Sequence, residues 1–314
     1  MDQATLRALV EEAILAPSSH NTQPWLFKMR DGAIALHADR TRALPVADPH
    51  DRELVISCGC ALFNLRVAAA ERGLGTAVAA LPDAADEDLL ARIAITGSPD
   101  RALGELAAFI PVRRTWRKRF ADHALSPDTV QALAAAAGAE AGWLVALEDA
   151  ADRATAARLV AEGDASLWAD PRWRRELALW MHPRRAGDGL SVPWLALPLA
   201  RSVVRSFDMG EGQGARDQDL AAHSPLLAVL GTPGDGTGDH LAAGQALQRV
   251  LLEAARRGLQ ASFLNQPVQV AALRPDLAAL CGGDGFPQIL LRLGVAQDAL
   301  PPVPRRPLDE VVLD

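Results

Sequence analysis

The sequence predicts an α+β fold. Three observations carry that expectation: segments of helical and of strand period interleave without regular alternation, one hairpin signal stands near the start, and 49% hydrophobic content over 314 residues suffices for a large core. Net charge is −7 and the pI is near 5.5, which argues against a broad nucleic-acid surface. The most apolar long window, 190–204, is broken by Pro193, Pro198 and Arg201, so no membrane span is expected. The start, Met1-Asp2-Gln3-Ala4, has no basic region leading into an apolar run, so no signal peptide is expected and a cytoplasmic setting is. Three cysteines (Cys58, Cys60, Cys281) fit a reducing compartment. Cys58-x-Cys60 lacks a second ligand pair, so no metal is expected.

Taken in order, Leu6, Leu9, Val10, Ala13 and Ile14 make one apolar stripe, which predicts a helix from Asp2 to Leu15 with Asp2 as N-cap and Pro17 as terminator. Trp25–Met29 and Ala33–His37 read as strands joined at Asp31-Gly32. Arg52–Arg72 reads as a long helix stopped by Gly73, and Thr76–Ala80 as a strand. Ser126-Pro127-Asp128 opens a helix, with a cap, a first-position proline and an acid in the first turn. Gly142–Leu147 and Leu226–Leu230 read as strands, Asp239–Arg257 as a helix and Pro287–Val295 as a strand. Arg172–Met181 looks helical, and Met209–Gly214 looks like a mobile loop.

The chain also repeats itself. Residues 59–74 align with 244–259 at a constant offset of 185, with eight identities in sixteen positions and a shared Arg-Gly-Leu ending. Ala/Leu-rich helices resemble one another by composition, but an ending in register favours one fold present twice.

Two stretches suggest ligand chemistry. Pro17-Ser18-Ser19-His20-Asn21-Thr22-Gln23-Pro24-Trp25 sets small hydroxyls and amides between prolines, apt for hydrogen bonding a flat polar ligand; the plainer reading is a polar turn with capping serines. Arg113-Arg114-Thr115-Trp116-Arg117-Lys118-Arg119 has five basic residues in seven; Arg113, Arg114, Arg117 and the Thr115 hydroxyl suit a phosphate, and a solvated basic turn is the alternative. A stiff tail, Pro301-Pro302-Val303-Pro304-Arg305-Arg306-Pro307, brings a second basic pair. No Ser-His-Asp or paired-carboxylate signature stands out, so the catalytic residues are unknown, and His20 is given no acid–base role.

With Leu44–Pro49, Trp173–Leu177 and Pro287–Gly294, these motifs resemble the nitroreductase superfamily over nearly the whole chain, and within it the Acg-like group of fused single-chain members. The resemblance implies a nitroreductase-like fold, internally duplicated as a pseudo-dimer. Residues 1–108 would be a degenerate first half supplying the flavin-ring loop. Residues 109–314 would be a phosphate-binding second half with an insertion, 164–218, favoured as a lid. It implies FMN as cofactor, held by Pro17, Ser18, Ser19, Asn21, Gln23, Arg113, Arg114, Thr115, Arg117, Arg249, Leu264, Asn265, Arg305 and Arg306. Arg249 matches Asn64 of the first copy and would face N1 and O2 of the ring, or equally be a solvated helix residue; a backbone N–H near Leu264 and Asn265 would face N5, with Leu264 as a core residue the alternative. Asn265-Gln266 departs from the acidic-glycine pair of many active reductases, which bears on hydride chemistry.

The function implied is electron transfer from NAD(P)H through FMN to a nitroaromatic, quinone or similar acceptor. A flavin-storing protein of little turnover and a flavin-free scaffold are the alternatives. The second half lacks its own hydroxyl loop, having Ala139-Glu140-Ala141-Gly142-Trp143 instead, so one complete site per chain is expected, in a monomer or a homodimer. Partners are FMN and a small-molecule substrate, with neither nucleic acid nor membrane.

Overall fold

The computed structural model describes residues 1–313. Helix α1 (Gln3–Ala13) is capped as the sequence predicts, Asp2 accepting from the Thr5 N–H at 2.7 Å. Strands β1 (Trp25–Arg30) and β2 (Ala33–Ala38) meet at Asp31-Gly32, both with positive φ. Helix α2 (Arg52–Glu71) runs to β3 (Gly75–Ala80) and β4 (Leu89–Thr96). A short helix, α3 (Arg101–Gly104), precedes α4 (Pro127–Gly138), which has its Ser126 cap, and β5 (Trp143–Ala146) follows. Next come α5 (Ala150–Ala169), α6 (Pro171–Leu179), the paired β6 (Met181–His182) and β7 (Leu190–Ser191), α7 (Leu197–Ser206) and α8 (Gly210–Ala222). The chain closes with β8 (Leu226–Thr232), α9 (Thr237–Arg256), β9 (Gln260–Phe263), α10 (Gln266–Gln269), α11 (Arg274–Ala279), β10 (Phe286–Gly294) and β11 (Val312–Leu313).

Two sheets share one plan. The order β1-β2-β4-β3 in one matches β5-β8-β10-β9 in the other, and every one of these pairings is antiparallel. In each, a helix (α2 or α9) links the second strand to an edge strand. The tail then crosses over: β11 lies parallel to β1, with Phe27 opposite Val312.

Helices α2 and α9 pack at a crossing built from the repeat. A Cβ on Gly59 would lie 2.3 Å from the Leu241 carbonyl, and one on Gly244 would lie 2.1 Å from that of Ile56. Gly59 and Gly244 differ by 185, and so do Ile56 and Leu241. Such reciprocity is the mark of an isologous contact. The helix ends match too: Leu74 N–H reaches the Ala69 carbonyl and Leu259 N–H that of Ala254, each at 2.9 Å. Gly73 and Gly258 make the left-handed turn there, φ 74° and 75°. By length and hydropathy α2 could cross a membrane, a feature the reading of the sequence did not expect, but 94% of its apolar window is buried inside the protein. One core runs through both sheets, from Leu6 and Phe27 by Leu62 to Leu247 and Leu293.

The insertion differs from expectation in two ways. It fills the whole connection between β5 and β8, where the first sheet has only a two-residue turn. The glycine run at 210–214 is helical, forming the start of α8. A Cβ on Gly210 would stand 2.9 Å from Trp168 Cβ, and one on Gly214 would stand 3.1 Å from the Ala161 carbonyl. The glycines thus allow α8 to approach α5 closely. From the end of α5 onward this connection packs Trp168, Trp173, Met181 and Val204 on Leu44 and Ala47. Glu176 accepts from the N–H groups of Val46 and Ala47, both at 2.9 Å.

Candidate functional site

The loop after α1 is strained. His20, Asn21 and Gln23 all have φ between 49° and 56°, a region non-glycine residues rarely adopt and which tends to mark functional segments. Ser18 Oγ accepts from the Gln23 N–H at 2.9 Å and closes the turn. Ser19 Oγ donates to Glu53 Oε2 at 2.5 Å. Glu53 is buried on the first turn of α2 and also takes Gln269 Nε2 at 2.9 Å. Burial and the nearby charge of Glu53 push Asp48 up to about 6. Glu53 was not among the residues expected at the site; an acid opening an apolar helix was the available signal, and it resembles an ordinary first-turn acid.

The arginine turn lies beside this loop. Arg113 is buried, Arg114 half-buried, and neither Nε has a hydrogen-bond partner. Among the described residues no carboxylate lies within ion-pair distance of Arg113, Arg114 or Arg117. Burial, with the charges of Arg114 and Arg117, brings Arg113 down to about 10. Burial lowers Arg114 and Arg117 as well. Arg117 is exposed and His20 half-buried. Burial lowers the His20 pKa; Glu53 opposes this and Arg117 adds to it, so the imidazole sits in the field of both. Its Nδ1 is buried without a partner. Thr115 bridges to Ala261 on β9, and Arg114 N–H donates to Gln260 Oε1 at 2.6 Å. One Arg114 terminal nitrogen donates to the Arg113 carbonyl at 2.7 Å; the other guanidinium donors of these three cations have no acid within ion-pair distance, a chemistry that suits an anion.

Other expected residues are occupied otherwise. Gln23 is fully buried and belongs to the scaffold: Nε2 donates to the Gly187 carbonyl at 2.8 Å and Oε1 accepts from Arg306 N–H at 2.9 Å. Asn21 Nδ2 reaches the carbonyls of Gly189 and Pro304. Arg305 comes near the cluster, and Arg113 and Arg114 help burial lower it to about 9. Yet its donors go to the carbonyls of Ile14, Leu15, Ala16, Val303 and Pro304 and to Asn21 Oδ1, so it caps the end of α1. Arg306 is buried on Asp39, the Gln23 carbonyl and the Glu310 carbonyl. Arg249 pairs with Glu140 at 2.8 Å. Leu264 is core, and its N–H already donates to the Leu290 carbonyl at 2.9 Å. Asn265 Oδ1 accepts from Leu290 N–H at 3.1 Å. Polarity marked the side chains that need partners; it could not tell a ligand from the chain's own carbonyls.

The insertion is fastened over the loop. Asp188 binds Arg42 and, at 2.7 Å, His182; Gly189 N–H donates to the Asn21 carbonyl at 3.2 Å.

No protein-family model matches this chain. Three Mycobacterium tuberculosis proteins are similar along their whole length. "Putative NAD(P)H nitroreductase Rv3131" is 36% identical, covering 99% of this chain and 92% of that one. "Putative NAD(P)H nitroreductase acg" is 30% identical over 98% and 94%. "Uncharacterized protein Rv3127" is 31% identical over 98% and 92%. Among solved structures, iodotyrosine deiodinase bound to FMN and 3-iodo-L-tyrosine aligns with 64% of this chain and 95% of its own at 13% identity and a TM-score of 0.44. Nitroreductase A from Vibrio parahaemolyticus aligns with 67% and 74% at 13% identity and 0.42. The full-length relatives decide the assignment: the chain belongs to the nitroreductase family, and within it to the Acg-like members.

Proposed function

We propose that this chain is an FMN-dependent NAD(P)H oxidoreductase acting on a nitroaromatic, a quinone or a similar small acceptor. The observation that carries this reading is the uncompensated cluster of Arg113, Arg114 and Arg117 beside the strained Ser18–Gln23 loop. The residues present fit the cofactor: orphaned guanidinium donors suit its phosphate, and Ser19 and His20 offer polar atoms beside them. When bound, FMN would supply the redox chemistry. The chain's own part is to neutralise the phosphate, to hold Ser19 through Glu53, and to cover the Ser18–Gln23 loop with the insertion. Thr115, tied to β9, fixes the height of the arginines against that strand.

The matched sheets and the in-register helix crossing support a fused pair of halves, 1–108 and 109–314, with the insertion as a lid. One FMN per chain is expected. Flavin quantitation of purified protein checks this, and two per chain would refute it. The ties across the loop from Gly187, Asp188 and Gly189 favour a second reading, a flavin-sequestering protein with slow turnover. Anaerobic spectra separate the two. Bleaching by NADH or NADPH is expected of the oxidoreductase; a yellow protein that neither bleaches is the sequestering one, and a colourless protein without FMN affinity ends both.

A further inference from the structure

One cation lies deeper than the cluster itself. Arg292, 1% exposed, stands on β10 between Leu227 of β8 and Ser262 of β9. We propose that Arg292 is a positioning residue that shapes the turn 116–119 into the anion-binding surface; this rests on the phosphate reading above.

Its guanidinium meets the carbonyls that flank Arg117. One terminal nitrogen donates to Trp116 and Lys118, the other to Lys118, each at 3.1 Å. The group stacks over the Phe120 ring at 5.0 Å. No carboxylate lies within ion-pair distance of it among the described residues; burial brings it down to about 10, the more distant charge of Asp217 opposing this in part. A buried cation without a direct carboxylate partner is costly, and an apolar side chain of like volume would fill the space at lower cost if filling were its role.

The geometry of the peptide supplies that role. In a trans peptide the N–H points opposite to the C=O. With the carbonyls of Trp116 and Lys118 turned toward Arg292, the N–H groups of Arg117 and Arg119 turn away from the strand. Neither donates to another group among the described residues. Trp116 N–H bonds the Ala261 carbonyl, and its indole bonds the Arg119 carbonyl, both at 2.8 Å, so the turn is pinned from one side. Free backbone donors and the Arg117 side chain are left for one anion, as in other backbone anion cradles.

The test compares FMN with riboflavin, which lacks the phosphate, by fluorescence titration of flavin-depleted full-length protein. The native chain should prefer FMN by at least about 100-fold, as several charge-assisted contacts imply. Arg292→Met should weaken FMN about 10- to 100-fold and leave riboflavin unchanged within about twofold. Equal weakening of both flavins, or of neither, overturns the proposal. Should Arg292→Met fail to fold, Arg292→Lys keeps the charge but cannot fork between two carbonyls; it should show the same selective loss to a lesser degree, and full retention of the FMN preference overturns the proposal. A native chain with no preference for FMN refutes the phosphate reading itself, a separate result.

Discussion

The segments that enter β1 and β5 hold the same place in two matched sheets and have opposite electrostatics. Before β1, the Ser18–Gln23 loop faces Arg113, Arg114 and Arg117, which have no acid. Before β5, Glu140 is buried between Arg66 and Arg249, at 2.5 and 2.8 Å, and Arg66 also holds Gln245. Two cations with one carboxylate form a closed structural knot; three with none form an incomplete one. The difference teaches that two sheets of one plan need not carry the same site. A single acid at 140, where the first lobe has a hydroxyl loop, uses the chain's own arginines in place of a ligand.

The comparison breaks most visibly through the open cluster. Replacing both Arg113 and Arg114 by Ala should weaken FMN retention by at least about 100-fold, since each charge-assisted contact contributes about 1.5–3 kcal/mol. Double variants that purify fully loaded would refute the phosphate assignment. Arg305→Ala, by contrast, should loosen the tail from the end of α1 and lower the melting temperature before it touches FMN affinity.

The shared frame is probed at the helix crossing. Gly244→Ala would drive a methyl against the Ile56 carbonyl and should cost about 3 kcal/mol, as overpacking against backbone does. Gly59→Ala should cost a similar amount if the crossing is as reciprocal as its contacts; a large asymmetry in denaturant midpoints would count against a pseudo-twofold axis. Glu140→Gln should lower stability by about 1–3 kcal/mol and leave FMN stoichiometry untouched. A second flavin bound by that variant would mean the counterpart site is masked rather than lost.

What the sequence disclosed depended on how local the signal was. The Asp2 and Ser126 caps, the Asp31-Gly32 turn and the Arg-Gly-Leu helix ends are set by a few neighbouring residues, and all appear where expected. The gathering of arginines was legible as unusual charge density in an acidic chain. The internal partners of Gln23, Arg305 and Arg306 were not legible because they lie about 160 to 290 residues away in sequence, on the β5–β8 connection, in the C-terminal tail and at the end of α1. Arg292 did leave a mark, a charge within Ile289-Leu290-Leu291-Arg292-Leu293, but only the fold shows which carbonyls it meets. Strand β4 and helix α5 were missed because their patterns are weak, and α8 because glycine reads as a loop when its purpose is close helix packing.

The smallest expected effect concerns how the insertion is fastened. Gln266, beside Asn265, donates to both oxygens of Asp164 on α5, at 3.1 and 3.2 Å, and to Asp217 on α8, at 3.1 Å. Asp217 also takes Gln213 at 3.0 Å. Burial, then the charge of Asp217, pushes Asp164 up to about 7. Its folded pKa is therefore raised above the unfolded value of 3.8. Between these values the unfolded chain has released a proton that the native chain retains, so stability from this group falls as pH rises from about 4 to about 7. Asp164→Asn removes the titration: it should stabilise the protein by about 1 kcal/mol at pH 8 and flatten that part of the stability profile, the Asn still accepting from Gln266 and able to donate to Asp217. The open arginine cluster contains no acid and should contribute no such slope, so a profile unchanged by Asp164→Asn would mean that the carboxylate pair is already solvated and that α5 and α8 are held more loosely than their packing implies.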